Sequence, residues 1–214
     1  MPRSSAIVAL VGRKSAGRRE QILEAATGLF AASGYHEVDT QSLAEALGVG
    51  KGTLYRQFPS KRELFLAAVD RVMLKLRAHV DEAVDAEADP LGKIGAAIRS
   101  FLDFFAQHPA FVELLVQERA LFRDRPRPSF DDHRERSSAR WQALYRSLME
   151  AGRFRELPTE RISDIFGHIV YGTMFTNHFN GQSKGSATQS AEILDVVYRG
   201  LLSDAERGVG TASA

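Results

Sequence analysis

Lys51, Arg56 and Gln57 can tell base pairs apart, and they lie within one stretch of seven residues. In the major groove, lysine and arginine donate hydrogen bonds to guanine, and the glutamine amide both donates to and accepts from adenine. Such a grouping on one short element is suited to reading a DNA sequence.

Tyr55 lies within this stretch, Thr40 lies before it and Lys61 lies after it. The polar ends of these three side chains are better suited to phosphate oxygens than to bases. Phosphate contacts set the register of a protein on the duplex without reading its sequence. Gly52 has no side chain to keep the backbone away from DNA.

A short helix is predicted just before these residues. Asp39 is placed as an N-cap, Leu43 and Leu47 lie four residues apart on one face, and Gly48 ends the pattern. Glycine readily adopts the left-handed conformation that a tight turn after a helix requires. The segment from 39 to 48 therefore predicts a first helix and a turn.

A second helix is predicted from about Gly50, with Leu54 and Phe58 facing inward. The outward positions are left for solvent or a partner, and they are Lys51, Thr53, Tyr55, Arg56 and Gln57. Two short helices around a glycine turn are typical of a helix-turn-helix, whose second helix enters the major groove. The alternative is that these residues form only a solvated charged face.

The composition is ordinary for a soluble globular protein: 214 residues, 44% hydrophobic, with no cysteine. Disulfides and thiolate metal sites are excluded, which fits a reducing compartment. The apolar stretch at 6–11 is far shorter than the roughly 20 residues that cross a bilayer. We therefore expect a cytoplasmic protein that does not contact a membrane.

The formal net charge is +1, but the first 62 residues carry nine basic and five acidic side chains, an excess of four positive charges. A basic excess at one end favours a polyanionic partner there.

Residues 1–17 show no sustained period, but helical periodicity extends through the chain that follows, and no alternating strand pattern competes with it. The predicted fold class is therefore all-α. The first helix is predicted to end at Gly34. The predicted breaks lie after Phe58, at Asp89-Pro90, at His108-Pro109, at 125–128 and near Gly152. The last two helices are predicted at about 158–180 and 187–204.

The segment 39–64, DTQSLAEALGVGKGTLYRQFPSKREL, closely resembles the DNA-binding segment of TetR-like (tetracycline-repressor or AcrR type) transcriptional regulators. The pattern Gly-Val-x-x-Gly-Thr-Leu-Tyr, followed by Phe-x-x-Lys-x-x-Leu, begins here at Gly48 and ends at Leu64. The resemblance is strong over residues 18–65. With the turn residues, it favours a DNA-reading face over a merely solvated one.

The resemblance implies a tail at 1–17, a three-helix DNA-binding domain at 18–65, an effector-binding and dimerisation domain at 66–207, and a tail at 208–214. It also implies a homodimer on a palindromic operator in double-stranded DNA, most often a repressor released by a small, largely apolar effector. The expected DNA-binding residues are Thr40, Gln41, Gly50, Lys51, Gly52, Thr53, Tyr55, Arg56, Gln57 and Lys61. Gly50 departs from the serine common at its position and lacks that hydroxyl.

Aromatic residues in the second half are candidates for an effector cavity, with a few polar groups to orient a ligand. The candidates are Phe101, Phe104, Phe105, Phe122, Trp141, Tyr145, His168, Tyr171, Met174, Phe175 and Asn177. Aromatic residues at helical spacing are also common in a plain core, and that alternative stays open.

No metal site and no cofactor is expected. Asp164 and His168 are one turn apart, but a single pair of this kind is more often an intrahelical contact than a metal site. The alternative function is a helical small-molecule-binding or enzyme domain with a vestigial helix-turn-helix. It has little support, since no catalytic triad, metal cluster or cofactor loop is present in the sequence, and we expect the protein not to be an enzyme.

Overall fold

The computed structural model describes residues 17–181, 184–203 and 206. Within these ranges the regular structure is helical, which confirms the predicted all-α class. The predicted tails at 1–17 and 208–214 lie outside the described residues, apart from Gly17, which precedes the first helix.

The helices of the described part of the chain are short around residue 50 and long elsewhere. In chain order they are α1 (Arg18–Glu37), α2 (Thr40–Ala46), α3 (Lys51–Gln57), α4 (Lys61–Asp85), α5 (Pro90–Gln107), α6 (Ala110–Leu121), α7 (Ser129–Glu150), α8 (Thr159–Asn180) and α9 (Ser186–Leu201).

Local sequence signals account for several of these boundaries. Before α4, the Ser60 hydroxyl accepts a hydrogen bond from the Glu63 N–H at 3.1 Å. Before α5, the Asp89 carboxylate accepts one from the Gly92 N–H at 3.0 Å, and Pro90 occupies the first turn, where its missing N–H costs nothing. In α1, helical geometry is interrupted at Gly34, whose φ is +80°, and resumes up to Glu37.

The chain forms two compact units. The first comprises Met1–Lys75 and Ala110–Asp131, described from residue 17 onward. Its core joins α1, α2, α3 and the start of α4 through fully buried side chains such as Phe30, Leu43, Leu54 and Phe65. Helix α6 packs against α1 in this unit.

The second unit comprises Leu76–Pro109 and Asp132–Ala214. Helix α5 packs against α8 and α9. The α5–α9 contact is close, because the Tyr198 hydroxyl donates to the Leu91 carbonyl at 2.8 Å and a β-carbon on Gly95 would lie 3.1 Å from Leu194.

Within the described residues, no helix is both long enough and apolar enough to cross a membrane.

Candidate nucleic-acid interface

Asp39 fixes the start of α2. Its carboxylate accepts hydrogen bonds from the N–H groups of Gln41 at 2.9 Å and Ser42 at 3.2 Å, which confirms the predicted N-cap. These donors, Gln41 first, lower the pKa of Asp39, because they stabilise its ionised form. The Ser42 hydroxyl donates to the same carboxylate at 2.8 Å.

The turn after α2 has the geometry that its glycine predicts. Gly48 has a φ of +62°, in the left-handed region that side chains with a β-carbon seldom adopt. The N–H groups of Gly48 and Val49 donate to the carbonyls of Glu45 and Ala44 at 3.0 and 2.9 Å. The last turn of α2 is thereby closed, and the chain is redirected into α3.

Helix α3 has one side that is buried in the first unit and an opposite side that is exposed. Leu54 is completely buried and Phe58, just after the helix, is nearly so. On the opposite side Lys51, Gly52 and Arg56 are exposed. Leu54 and Phe58 therefore face inward as predicted, and Lys51 and Arg56 of the predicted outward residues are exposed.

Arg56 makes no hydrogen bond or ion pair with any residue that the structure describes, so its guanidinium is available to a partner. Lys51 lies with its Nζ 6.0 Å from the centre of the Tyr55 ring. Thr53, Tyr55 and Gln57 are half-buried at the edges of this face, and Gly50 is exposed just before it. The outer face of α3 thus presents the donors that base reading requires.

Thr40 and Tyr55 contact each other. Their hydroxyl oxygens are 2.9 Å apart, which links the first turn of α2 to α3. Thr40 is only 7% exposed, whereas Tyr55 is half-buried. Of the two predicted phosphate ligands, Tyr55 is therefore the more accessible and Thr40 lies behind it.

Lys61, another predicted phosphate ligand, already has partners. Its Nζ donates to the carbonyl of His36 at 3.1 Å and lies 4.9 Å from the centre of the Tyr35 ring. The Gln41 side chain donates to Glu45 at 2.6 Å, one turn along α2. A phosphate contact by either side chain would compete with, or add to, these bonds.

The contacts that hold α6 in the first unit were not predicted from the sequence. The Tyr35 N–H donates to the Gln117 side chain at 2.6 Å. The Phe122 ring lies 5.2 Å from Tyr35 and 5.4 Å from Phe65, and the Arg62 guanidinium lies 5.0 Å from the centre of the Phe122 ring. The sequence shows that these residues are aromatic or arginine, but it does not show which of them pack together.

Phe122 belongs to the first unit, whereas the other predicted effector residues belong to the second. There, Phe101, Phe104 and Phe105 are buried on α5, with ring centres 5.2 Å apart for both the 101–105 and the 104–105 pairs. Tyr145 on α7 is buried.

Tyr145 has aromatic neighbours that the predicted set omitted. Its ring is 6.4 Å from Phe154 and 6.1 Å from Phe166, as well as 6.4 Å from Trp141. Burial raises the pKa of Tyr145 well above its ordinary value.

The remaining candidates lie on α8 in differing environments. Met174 is buried, Tyr171 and Phe175 are half-buried with rings 4.6 Å apart, and His168 is exposed. Asn177 is occupied, because its amide and that of Gln189 exchange two hydrogen bonds of 2.8 Å. His168 is thus not placed to orient a ligand in a buried cavity.

In the described part of the chain, no group of three or more histidine, aspartate or glutamate side chains comes together in a way that could hold a metal ion. The Asp164 carboxylate instead pairs with the Arg134 guanidinium at 2.9 Å.

Comparison with known proteins agrees with this geometry. The family model of bacterial regulatory proteins of the tetR family matches residues 22–68, which contain α2, α3 and the start of α4. The chain therefore carries the helix-turn-helix domain of the tetR family, and the resemblance predicted from the sequence is confirmed.

A curated relative is the nucleoid occlusion factor SlmA of Glaesserella parasuis serovar 5, 32% identical over 108 residues, which are 50% of this chain and 53% of that protein. The chain spans about half the length of the first curated relatives that it matches.

Two similar solved structures show the same fold over most of both chains. One is the fatty acid degradation regulator FadR of Bacillus halodurans, with a TM-score of 0.71, 16% identity, and coverage of 87% of this chain and 97% of that one. The other is FadR of Bacillus subtilis in complex with stearoyl-CoA, with a TM-score of 0.69, 18% identity, and coverage of 86% and 99%.

Proposed function

We propose that this protein is a ligand-responsive transcriptional regulator, a repressor that binds a palindromic operator as a cytoplasmic homodimer and is released by a small, largely apolar effector. The observation that carries the proposal is the outer face of α3. There Lys51 and Arg56 are exposed beside Gly52, on a helix fixed by the buried Leu54 and by the turn at Gly48. A rigid helix with an open, donor-rich face is what major-groove reading needs.

The division of labour on this face follows from side-chain chemistry. Arg56, Lys51 and Gln57 are the base readers. Tyr55 and Lys61 bind phosphates, and so does Gln41 in the first turn of α2. Thr40 supports Tyr55. At Gly50, Gly52 and Thr53, the protein backbone comes close to the duplex.

Selection of duplexes from a random DNA library by the purified protein tests DNA reading directly. We expect a palindromic consensus with half-sites about one helical turn apart, because a two-fold dimer places its two α3 helices about 34–36 Å apart. Enrichment of no sequence would refute the proposal. A single unrepeated half-site would refute its dimeric part only.

Exposed apolar side chains on α8 and α9 support the homodimer. Ile165 and Phe179 on α8 are 42% and 63% exposed, and Val196 on α9 is 73% exposed. Large apolar side chains exposed on neighbouring helices are suited to a four-helix interface with a second copy.

The aromatic interior of the second unit supports an apolar effector. Phe101, Phe104, Phe105 and Tyr145 supply buried apolar surface there. FadR of Bacillus subtilis holds stearoyl-CoA, whose acyl chain belongs to this chemical class. An effector must bind one conformation better than the other in order to change operator affinity. Helix α4 contributes residues to both units and is the proposed lever.

A thermal-shift screen of fatty acids and acyl-CoA esters, followed by titration of the selected operator, tests the effector. We expect a compound that raises Tm to weaken operator binding. A compound that raises Tm and leaves operator affinity unchanged would show binding without regulation and would contradict this part of the proposal.

A further inference from the structure

Three exposed arginines lie at the end of α6 and in the turn that follows it. Arg119, Arg123 and Arg127 are all exposed, and none makes a hydrogen bond or ion pair with a residue in the described ranges. Some arginines of the described residues are paired, for example Arg71 with Glu20 and Arg140 with Asp81, whereas others such as Arg56 are exposed and make no such bond. We call Arg119, Arg123 and Arg127 the arginine surface.

The chain beneath the arginine surface is held in place by a buried carboxylate. Glu118 is 2% exposed, and it accepts hydrogen bonds from the Ser129 N–H at 3.0 Å and from the Ser129 hydroxyl at 2.8 Å. It also forms an ion pair with Arg125. Both ends of the turn between α6 and α7 are therefore joined through Glu118.

The same turn is attached to the first residues of α4. The Asp124 carboxylate accepts a hydrogen bond from the Arg62 guanidinium at 2.5 Å, and this ion pair lowers the pKa of Asp124. Arg62 also lies over Phe122, which packs on Phe65. Arg123 is thus next in sequence to the residue that pairs with Arg62, and Arg62 follows Lys61, which the proposed function places at a phosphate.

Charge and placement together favour an anionic partner. Residues 119–127 carry Arg119, Arg123, Arg125 and Arg127 against one acidic side chain, Asp124. B-DNA offers one phosphate charge for about every 1.7 Å of its axis, so a duplex bound at Lys61 continues as a row of phosphates beyond it. An arginine that makes no ion pair within the protein can bind a phosphate without first breaking one.

We infer that the arginine surface contacts the phosphate backbone of DNA flanking the site read by α3, as an extension of the interface from the α6–α7 turn. This inference rests on the proposed function, since it requires α3 to bind DNA. It extends the interface to residues outside the helix-turn-helix.

The test compares two duplexes that contain the selected consensus, one trimmed to its ends and one with about one helical turn of random sequence on each side. The protein variant is Arg119→Ala/Arg123→Ala/Arg127→Ala. The matched control is Arg99→Ala/Arg146→Ala/Arg161→Ala, which removes the same charge from exposed arginines of the second unit. Affinity is measured over a range of salt concentrations.

On the flanked duplex, we expect the slope of log K against log salt to become shallower by about 1 for each phosphate that the first variant no longer binds. The control variant should match the wild type on both duplexes. On the trimmed duplex, the first variant should match the control.

Equal slopes for the two variants on the flanked duplex, or an equal weakening on both duplexes, would overturn the inference. If the wild type binds its consensus and Arg56→Ala loses base discrimination while the arginine surface has no effect, only this inference fails. If the wild type binds no duplex, the proposed function fails and the inference fails with it.

Discussion

The contact between Thr40 and Tyr55 changes how one predicted DNA ligand should act. Thr40 is almost wholly buried, and its hydroxyl lies 2.9 Å from that of Tyr55, so it can hold the Tyr55 ring in the orientation needed to reach a phosphate. We therefore assign Thr40 a positioning role. In the proposed interface, Thr40 lies behind Tyr55, which is the more exposed of the two.

This assignment predicts the behaviour of three variants. Thr40→Val keeps the side-chain shape but removes the hydroxyl, and it should weaken binding to all sequences alike, while Thr40→Ser should retain binding. Combined with Tyr55→Phe, Thr40→Val should have little additional effect, because both changes remove one shared hydrogen bond. Additive effects in a double-mutant cycle would instead show that Thr40 acts independently of Tyr55.

Asp39 links the stability of α2 to pH. Hydrogen bonds from the Gln41 and Ser42 N–H groups lower its pKa in the folded protein below the ordinary value of 3.8. A carboxyl with a lowered folded-state pKa stabilises the fold above its unfolded-state value, and this stabilisation is lost as the pH falls through the folded-state pKa.

The corresponding prediction is a smaller acid dependence in Asp39→Asn. The asparagine amide still caps α2 but does not ionise, so the difference in Tm between wild type and variant should shrink as the pH is lowered through about 3.8 and below. A Tm difference that stays constant across that range would contradict an ionised cap.

At the scale of the element, two glycines four residues apart, Gly48 and Gly52, should respond oppositely to substitution by alanine. Gly48 has a φ of +62°, so Gly48→Ala should destabilise the protein by about 1 to 2 kcal/mol, the cost of a left-handed residue with a β-carbon. Gly52 lies in α3, and its β-carbon would meet nothing within 4 Å. Gly52→Ala should therefore stabilise by roughly 0.5 to 1 kcal/mol.

Chemical denaturation of the two variants measures these effects. Gly52→Ala should also weaken DNA binding, since the added methyl group projects from an exposed position of the proposed DNA-binding face. Destabilisation by both substitutions, or tighter DNA binding by Gly52→Ala, would contradict the placement of α3.

Local signals made most helix boundaries predictable from the sequence. Asp39 and Asp89 cap helices through side-chain bonds to residues two or three positions away, and Gly48 needs only its own backbone conformation. These interactions lie within one turn of chain, so the residue type and its neighbours suffice to predict them.

Contacts between distant residues were not predictable in this way. The Tyr35 backbone bonds to Gln117, 82 residues along the chain, and Phe122 packs on Phe65 within the first unit. A helical repeat shows that Phe122 is buried but not which helix buries it. The effector residues were for the same reason the least predictable part of the site.

At the scale of the whole molecule, the exposed apolar surface of α8 and α9 predicts the behaviour of a charged variant. Phe179→Glu/Val196→Glu should convert a dimer to a monomer at micromolar concentration, because both side chains are largely exposed and apolar in the single chain. Leu74→Glu is the matched control, since Leu74 on α4 is 52% exposed and lies in the first unit.

Sedimentation velocity distinguishes the outcomes. The wild type and Leu74→Glu should sediment as dimers, and the double variant as a monomer with weakened operator binding. A monomeric wild type, or a double variant that remains dimeric, would contradict an interface built from α8 and α9.

The most direct test of the central claim, that α3 reads DNA, is the ratio of affinities for the selected duplex and a scrambled duplex. We expect Arg56→Ala to lower this ratio by a factor that corresponds to about 1–3 kcal/mol for each base that Arg56 reads, because Arg56 is exposed and makes no hydrogen bond or ion pair with a described residue. Lys61→Ala should weaken binding to both duplexes alike and leave the ratio unchanged. An unchanged ratio in Arg56→Ala, or an equal change in both variants, would contradict base reading by α3.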